Sequence, residues 1–260
     1  MRIAFCHFDL AHGPVSVNMR KLKEGLRLAG EKGADWVLTP ETAVQGFFFY
    51  KVDPERVKEL EVQPAASLEP LLEEVRKYGF HLFLGCGEAA PEDGCNYNSC
   101  LVFRPDGSLL GRHRKNHSHE MGSEAWVKND THIRPMEISG MTVGVMVCAD
   151  AYFEDMYYSM KDQGAELLVD VAAWPPSESV GNPADFWVRC TTDTQLPLML
   201  CNQTGSPRWL DMQHGQSVYM DKGEMKLAYS GKEALLIMDW DEKTKQPLSK
   251  EFEVYPMDFA

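Results

Sequence analysis

Residues 141–150 read MTVGVMVCAD. An apolar, β-branched run bounded by Gly140 and a polar segment predicts a buried strand, and Cys148 stands where that strand runs out. Open α/β sheets place reactive groups just past the C-terminal ends of their strands, so the thiol sits where a nucleophile is expected. A cysteine is also among the most buried residue types, and a lone strand cysteine is more often a small core hydrophobe. A base and an anion-stabilising cation from elsewhere in the chain would decide between the two.

The 260 residues are enough to bury a substantial core, and 44% hydrophobic with 25% charged residues is ordinary for a globular chain. A net charge of -13 argues against nucleic acid or an anionic membrane surface as a partner, because phosphates are bound by clustered positive charge. The first residues, MRIAFCHFDLAHGP, lack the apolar core of a signal peptide, and no run approaches the ~18 apolar residues of a membrane span. Seven cysteines with no CxxC pair suit reduced thiols in a cytoplasm better than a disulfide framework or a structural zinc site. On that reading the glycosylation triplets at Asn129 and Asn202 are accidental.

Outward from the central strand, periodicity alternates between two and 3.6 residues. RIAFCHF predicts a strand, and Met19, Leu22, Leu26 and Ala29 put a helix over 16–30. A short strand over 34–40 ends at Pro40, where the chain turns and Glu41 follows. The aromatic cluster GFFFY at 46–50 reads first as packing. Ser67 as N-cap and Gly79 as stop bound a second helix, followed by a strand over 80–86. Asp106-Gly107 marks a hairpin turn whose second strand leads into RHRKNHSHE, residues 112–120. Beyond Cys148 the pattern predicts helices over 153–163 and 183–194 and strands over 166–173 and 198–202. It then predicts hairpin strands over 216–220 and 234–240 with Asp221-Lys-Gly223 as the turn. No repeat or linker interrupts the chain, which reads as one mixed α/β domain, residues 1–260.

Glu41, Lys115 and Cys148 thus fall at ends of predicted strands, and their chemistry is complementary. A thiol needs deprotonation to attack a carbonyl, a desolvated carboxylate can serve as base, and a fixed ammonium can stabilise the oxyanion. Singly, each has a bland reading: a solvated turn carboxylate, one lysine of an exposed basic tract, a core thiol. Together the surrounding segments resemble the nitrilase, or carbon-nitrogen hydrolase, superfamily: TPETAVQGFF at 39–48, GRHRKNH at 111–117 and VGVMVCADAYFED at 143–155. The likeness continues through VAAWPP, DFWVRCTTDTQLPLMLCNQTG and HGQSVYMDKG, so it spans nearly the whole chain in the family's order.

The resemblance implies a four-layer α-β-β-α sandwich and hydrolysis of a non-peptide C–N bond through a thioester, with no metal or organic cofactor. By position, Cys148 corresponds to the nucleophile, Glu41 to the general base and Lys115 to the oxyanion-stabilising cation, with the amide of Ala149 as second oxyanion donor. A further active-site glutamate is expected between lysine and cysteine; Glu124 is the choice and Glu120 the competitor. Cys148-Ala149-Asp150 is closer to the amidase and carbamoylase branches than to the Cys-Trp-Glu of nitrile-cleaving members, which favours a small amide or N-carbamoyl substrate over a nitrile. Phe47, Phe48, Trp174 and Trp187 are candidates to line the pocket. The family also implies a homodimer or higher homo-oligomer, and the C-terminal EFEVYPMDFA is expected to fray. Two readings of other classes compete: a metal hydrolase built on His113, His117, His119 and Glu120, and a non-catalytic binding module on the same fold.

Overall fold

Alternating side chains along the strands sort onto two faces, and that sorting builds the layers. The computed structural model describes residues 1–178 and 181–259. The first half of the chain runs β1 (Arg2–His7), α1 (Val15–Glu31), β2 (Trp36–Leu38), the short α2 (Phe49–Val52), α3 (Glu69–Tyr78), β3 (His81–Ala90), β4 (Cys95–Phe103) and β5 (Leu109–Arg114). It continues through β6 (Met136–Ile138), β7 (Met141–Val147), α4 (Glu154–Asp162), β8 (Leu167–Ala172), α5 (Pro183–Thr194) and β9 (Leu198–Asn202). The last strands are β10 (Ser217–Asp221), β11 (Glu224–Tyr229), β12 (Ala234–Asp241), β13 (Gln246–Pro247) and β14 (Glu253–Pro256).

One sheet has the order β13-β12-β1-β2-β3-β4-β5, with β14 added to β12; the other has the order β11-β10-β9-β8-β7-β6. In the first sheet Ile3, Phe5, Trp36, Leu38, Phe83 and Val102 face a core shared with Val143, Val145 and Val147 of the second. Their alternates Ala4, Cys6, Val37, Leu82, Leu84 and Leu101 face Leu22, Leu26, Leu71 and Val75 of α1 and α3. On the far side of the second sheet, Met156, Tyr157 and Met160 of α4 and Trp187 and Cys190 of α5 close the core. The layers are therefore α-β-β-α, with every strand of the first sheet's centre buried on both faces. Among the described residues no helix is long and apolar enough to cross a membrane.

Three local expectations need correcting. Ser67 is not the N-cap of α3: it lies in a 3-10 turn, Ala66–Leu68, and its hydroxyl donates to Glu61, while Gly79 does end the helix in the left-handed region at φ 76°. The 221–223 turn joins β10 to β11, not to β12, which instead pairs antiparallel with β1 from Arg2↔Asp239 to His7↔Ala234. The C-terminal stretch does not fray, because β14 pairs with β12 in the register Leu235↔Tyr255 and Phe252 is buried against Phe5.

Candidate active site

The parallel strands of both sheets end at the same place. Glu41 follows β2 of the first sheet, yet its Oε2 accepts the amide of Ala173, past β8 of the second, at 3.1 Å. Lys115 follows β5 and donates from its backbone to the Asn98 carbonyl of β4 at 2.8 Å. Cys148 opens the 3-10 turn Cys148–Tyr152 directly after β7. Three strand ends from two sheets thus deliver the carboxylate, the ammonium and the thiol to one point.

Lys115 Nζ sits between two carboxylates, donating to Glu41 Oε1 at 2.8 Å and to Glu124 Oε1 at 2.6 Å, and all three side chains are buried. Asn98 Nδ2 bridges the same two acids, 2.7 Å from Glu41 Oε1 and 3.4 Å from Glu124 Oε1. Glu124 Oε2 is occupied by the amide of His119 at 3.1 Å. Glu120 stands apart at the exposed surface, where its carboxylate accepts from Asn129 at 2.8 Å. Of the two competing glutamates, geometry therefore brings Glu124 to the lysine.

The electrostatics follow from burial. Desolvation pushes the Glu41 carboxyl up from the usual glutamate range and the charge of Glu124 adds to this, while Lys115 and the hydrogen bond from the Cys148 thiol pull it back. Burial pulls the Lys115 pKa down, but Glu124, Glu41 and Cys148 outweigh it and hold the ammonium well above its ordinary pKa. The Cys148 thiol is pushed well above its usual value, by burial first and then by the charge of Glu41, against the pull of Lys115. Burial thus favours the neutral thiol at Cys148, with the charged ammonium of Lys115 paired to the two glutamates. Such a thiol gains nucleophilicity only as its proton moves to Glu41.

Cys148 is held in a strained backbone. Cys148 adopts φ 53°, a conformation that costs a non-glycine residue about 1–3 kcal/mol. Two carboxylates oppose that cost. Asp170 of β8, fully buried, accepts the Cys148 amide at 2.6 Å, and burial pushes its own pKa well above the usual aspartate range. Asp150, also fully buried, accepts the amides of Asn116 and His117 on Oδ1, each at 3.0 Å, and that of Val147 on Oδ2 at 3.0 Å. Its Oδ2 also lies 2.8 Å from His113 Nε2. Asp150 therefore ties the loop after Lys115 to the residue before Cys148, and it is not among the residues lining the cavity. The amide of Cys148 is committed to Asp170, and Ala149, next along the turn, lines the cavity.

Cys148, Lys115, Glu124 and Ala149 open onto a cavity of about 680 Å³ that Phe47 and Trp174 also line. Phe48 and Trp187 do not line it: Phe48 packs against Phe47 and Trp209, and Trp187 lies edge-on behind Trp174 in the core. The histidines proposed as metal ligands are dispersed. His113 engages Asp150, His117 stacks on Phe153 at 3.9 Å, and His119 lines the cavity. Among the described residues no cluster of three or more His, Cys, Asp or Glu is disposed to hold a metal ion. Asn98, Asp170 and Phe186 were not marked by the sequence, since each enters the site only through strand pairing or helix packing.

The carbon-nitrogen hydrolase family model matches residues 8–228. The chain belongs to that family. This carbon-nitrogen hydrolase is 29% identical over 167 residues to omega-amidase NIT2-A of Xenopus laevis, an alignment covering 59% of the chain and 57% of the relative, so it spans little more than half of that protein's length. It is 24% identical over 237 residues to the 2-oxoglutaramate amidase of Bacillus subtilis, covering 89% of the chain and 86% of the relative. In three dimensions it resembles the amidase from Nesterenkonia sp. AN1 with a TM-score of 0.80 and 21% identity over 93% of each chain, in a crystal structure of a variant that carries acrylamide added at the active-site cysteine.

Proposed function

We propose that this protein hydrolyses the non-peptide C–N bond of a small amide or N-carbamoyl compound by acyl transfer to Cys148. The observation that carries the proposal is the Lys115 ammonium, which donates to Glu41 at 2.8 Å and to Glu124 at 2.6 Å and lines one cavity with Cys148. Cation and thiol thereby face one cavity, with Glu41 paired to the cation.

The steps follow from that geometry. Sγ attacks the carbonyl carbon as its proton passes to Glu41, and the oxyanion forms between the Lys115 ammonium and the Ala149 amide. Collapse breaks the C–N bond, Glu41 hands its proton to the departing ammonia or amine, and a thioester remains on Cys148. Water then gives a proton to Glu41 and adds to the thioester, and collapse releases the acid while the proton returns to sulfur. Glu124 gives the cycle its electrostatic continuity: when Glu41 is protonated, Lys115 keeps one paired carboxylate at 2.6 Å and its buried charge is never left uncompensated.

The amide reading is preferred to the nitrile one because the related proteins above are amidases, and because Asp150, the residue that distinguishes the Cys-Ala-Asp turn, holds the lysine loop instead of facing substrate. Removal of the thiol in Cys148→Ala should abolish ammonia release from amides while the circular dichroism spectrum is retained; undiminished turnover in that variant defeats the thiol mechanism. Glu41→Gln should block acylation, and acylation at the wild-type rate contradicts the base assignment. The same reading carries a homo-oligomeric assembly, which sedimentation equilibrium measures directly.

A further inference from the structure

Beyond the reacting groups, the cavity wall is a run of aromatic rings. Trp174 stacks on Phe186 at 5.7 Å and 15°, Phe186 meets Tyr152 at 4.4 Å, and Tyr152 meets Phe153 at 5.0 Å. Phe47, Met121 and Leu210 continue the apolar surface. A volume of about 680 Å³ would hold roughly twenty waters at ~30 Å³ apiece, far more room than an acetamide-sized substrate fills.

Charge is distributed to match. Among the described residues lining the cavity, the lysine, arginine and carboxylate side chains are Lys115 and Glu124, which pair with one another; His119 also lies in the lining. With Glu41 on the other side of Lys115, two carboxylates face one ammonium, so among the described lining residues no lysine or arginine is left free for a carboxylate on the substrate. It is no better suited to a cation. Among the described residues no uncommitted carboxylate lines it, and the guanidinium of Arg189 already lies 5.9 Å from the Tyr152 ring and 5.8 Å from that of Phe186. An ionic substrate tail would be desolvated here without a partner, whereas an alkyl or aryl group would gain from burial.

Resting on the amidase reading, we infer that the Trp174–Phe186–Tyr152 wall selects an uncharged amide whose acyl group is a long alkyl or arylalkyl chain, and rejects ω-amides carrying a carboxylate or an ammonium at the far end. The inference departs from what the name of the Bacillus relative implies, since 2-oxoglutaramate is an anion.

The test is a series of kcat/KM values for ammonia release at pH 8, with covalent labelling of Cys148 followed by intact mass. Along propanamide, butanamide, pentanamide and hexanamide the expected gain is about fourfold per methylene. The uncharged 4-methylpentanamide should exceed succinamate, its near-isostere with a carboxylate, by at least about 100-fold, and hexanamide should exceed 5-aminopentanamide similarly. Phe186→Ala should lower kcat/KM for 3-phenylpropanamide at least about tenfold relative to that for propanamide, the circular dichroism spectrum showing that the variant is folded. Succinamate or 5-aminopentanamide turned over as fast as its uncharged counterpart, with Cys148 acylated, overturns the inference and leaves the amidase reading standing. Absence of both turnover and Cys148 labelling with every amide overturns both.

Discussion

Asp150→Asn changes one buried oxygen to an NH2 group and tests whether the lysine loop and the nucleophile are held by a common carboxylate. With the amide oxygen in the Oδ1 position, the bonds from Asn116 and His117 at 3.0 Å survive. The NH2 then faces the Val147 amide, donor against donor, where Oδ2 had accepted at 3.0 Å. His113 can adapt by presenting an unprotonated Nε2, so the net loss is one hydrogen bond to a charged acceptor and one buried N–H left without a partner. At 0% exposure there is no solvent to compensate, and the cost is about 2–3 kcal/mol. The reverse orientation of the amide opposes two N–H groups and costs more. Because Val147 directly precedes Cys148, a displacement near 1 Å should also slow acylation about 100-fold. Urea denaturation measures the first quantity and quenched-flow intact mass the second. A variant within 0.5 kcal/mol of the parent with an unchanged acylation rate would refute the coupling.

The raised pKa of Glu41 places the acidic limb of kcat/KM above the ~4.3 of an ordinary glutamate, since the base must be ionised to act; a limb at or below that value contradicts its role. Alkaline pH should weaken the fold. Burial raises the pKa of Cys6, Cys86, Cys100, Cys148, Cys190 and Cys201, so the native state keeps protons that the unfolded chain loses. Stability is therefore complete below the unfolded thiol pKa of ~8.5 and falls as pH rises through it, by about 0.8 kcal/mol per thiol at pH 9. Denaturant midpoints at pH 7 and 9 check this, and equal values refute it. Gly85→Ala would set a Cβ 2.0 Å from the Pro40 carbonyl oxygen and 3.0 Å from Glu41 Cα, so it should cost about 3 kcal/mol and most of the activity, read by thermal unfolding and ammonia release.

Glu41 and Cys148 could be placed at strand ends from apolar runs that are local in sequence, whereas grouping them with Lys115, which follows the polar strand LLGRHR, rested on the resemblance of the surrounding segments to the family. The layers were legible locally too, as period-two runs alternate with helical ones. Asn98 was not, because its place between Glu41 and Glu124 depends on β4 pairing with β5 through Ser99↔Arg114, which sets it beside Lys115. β11 escaped notice because EMKLAY lies at the sheet edge and only Leu227 of it is fully buried, so its alternation is faint. The C-terminal strand was missed because its partner, β12, lies outside any local window, and no periodicity within EFEVYPMDFA announces it. Asp150 illustrates the opposite case: its motif position was visible, but its work, holding two loops by their amides, appears only once the loops are folded together.

The central claim is that acyl transfer passes through Cys148. Intact mass of protein quenched during turnover of 3-phenylpropanamide, followed by peptide mapping, measures that directly. The account predicts a single acyl adduct on the peptide containing Cys148, accumulating when Glu41-dependent deacylation is slower than acylation and absent in Cys148→Ala. An adduct on any other residue, or full turnover by Cys148→Ala, would contradict it.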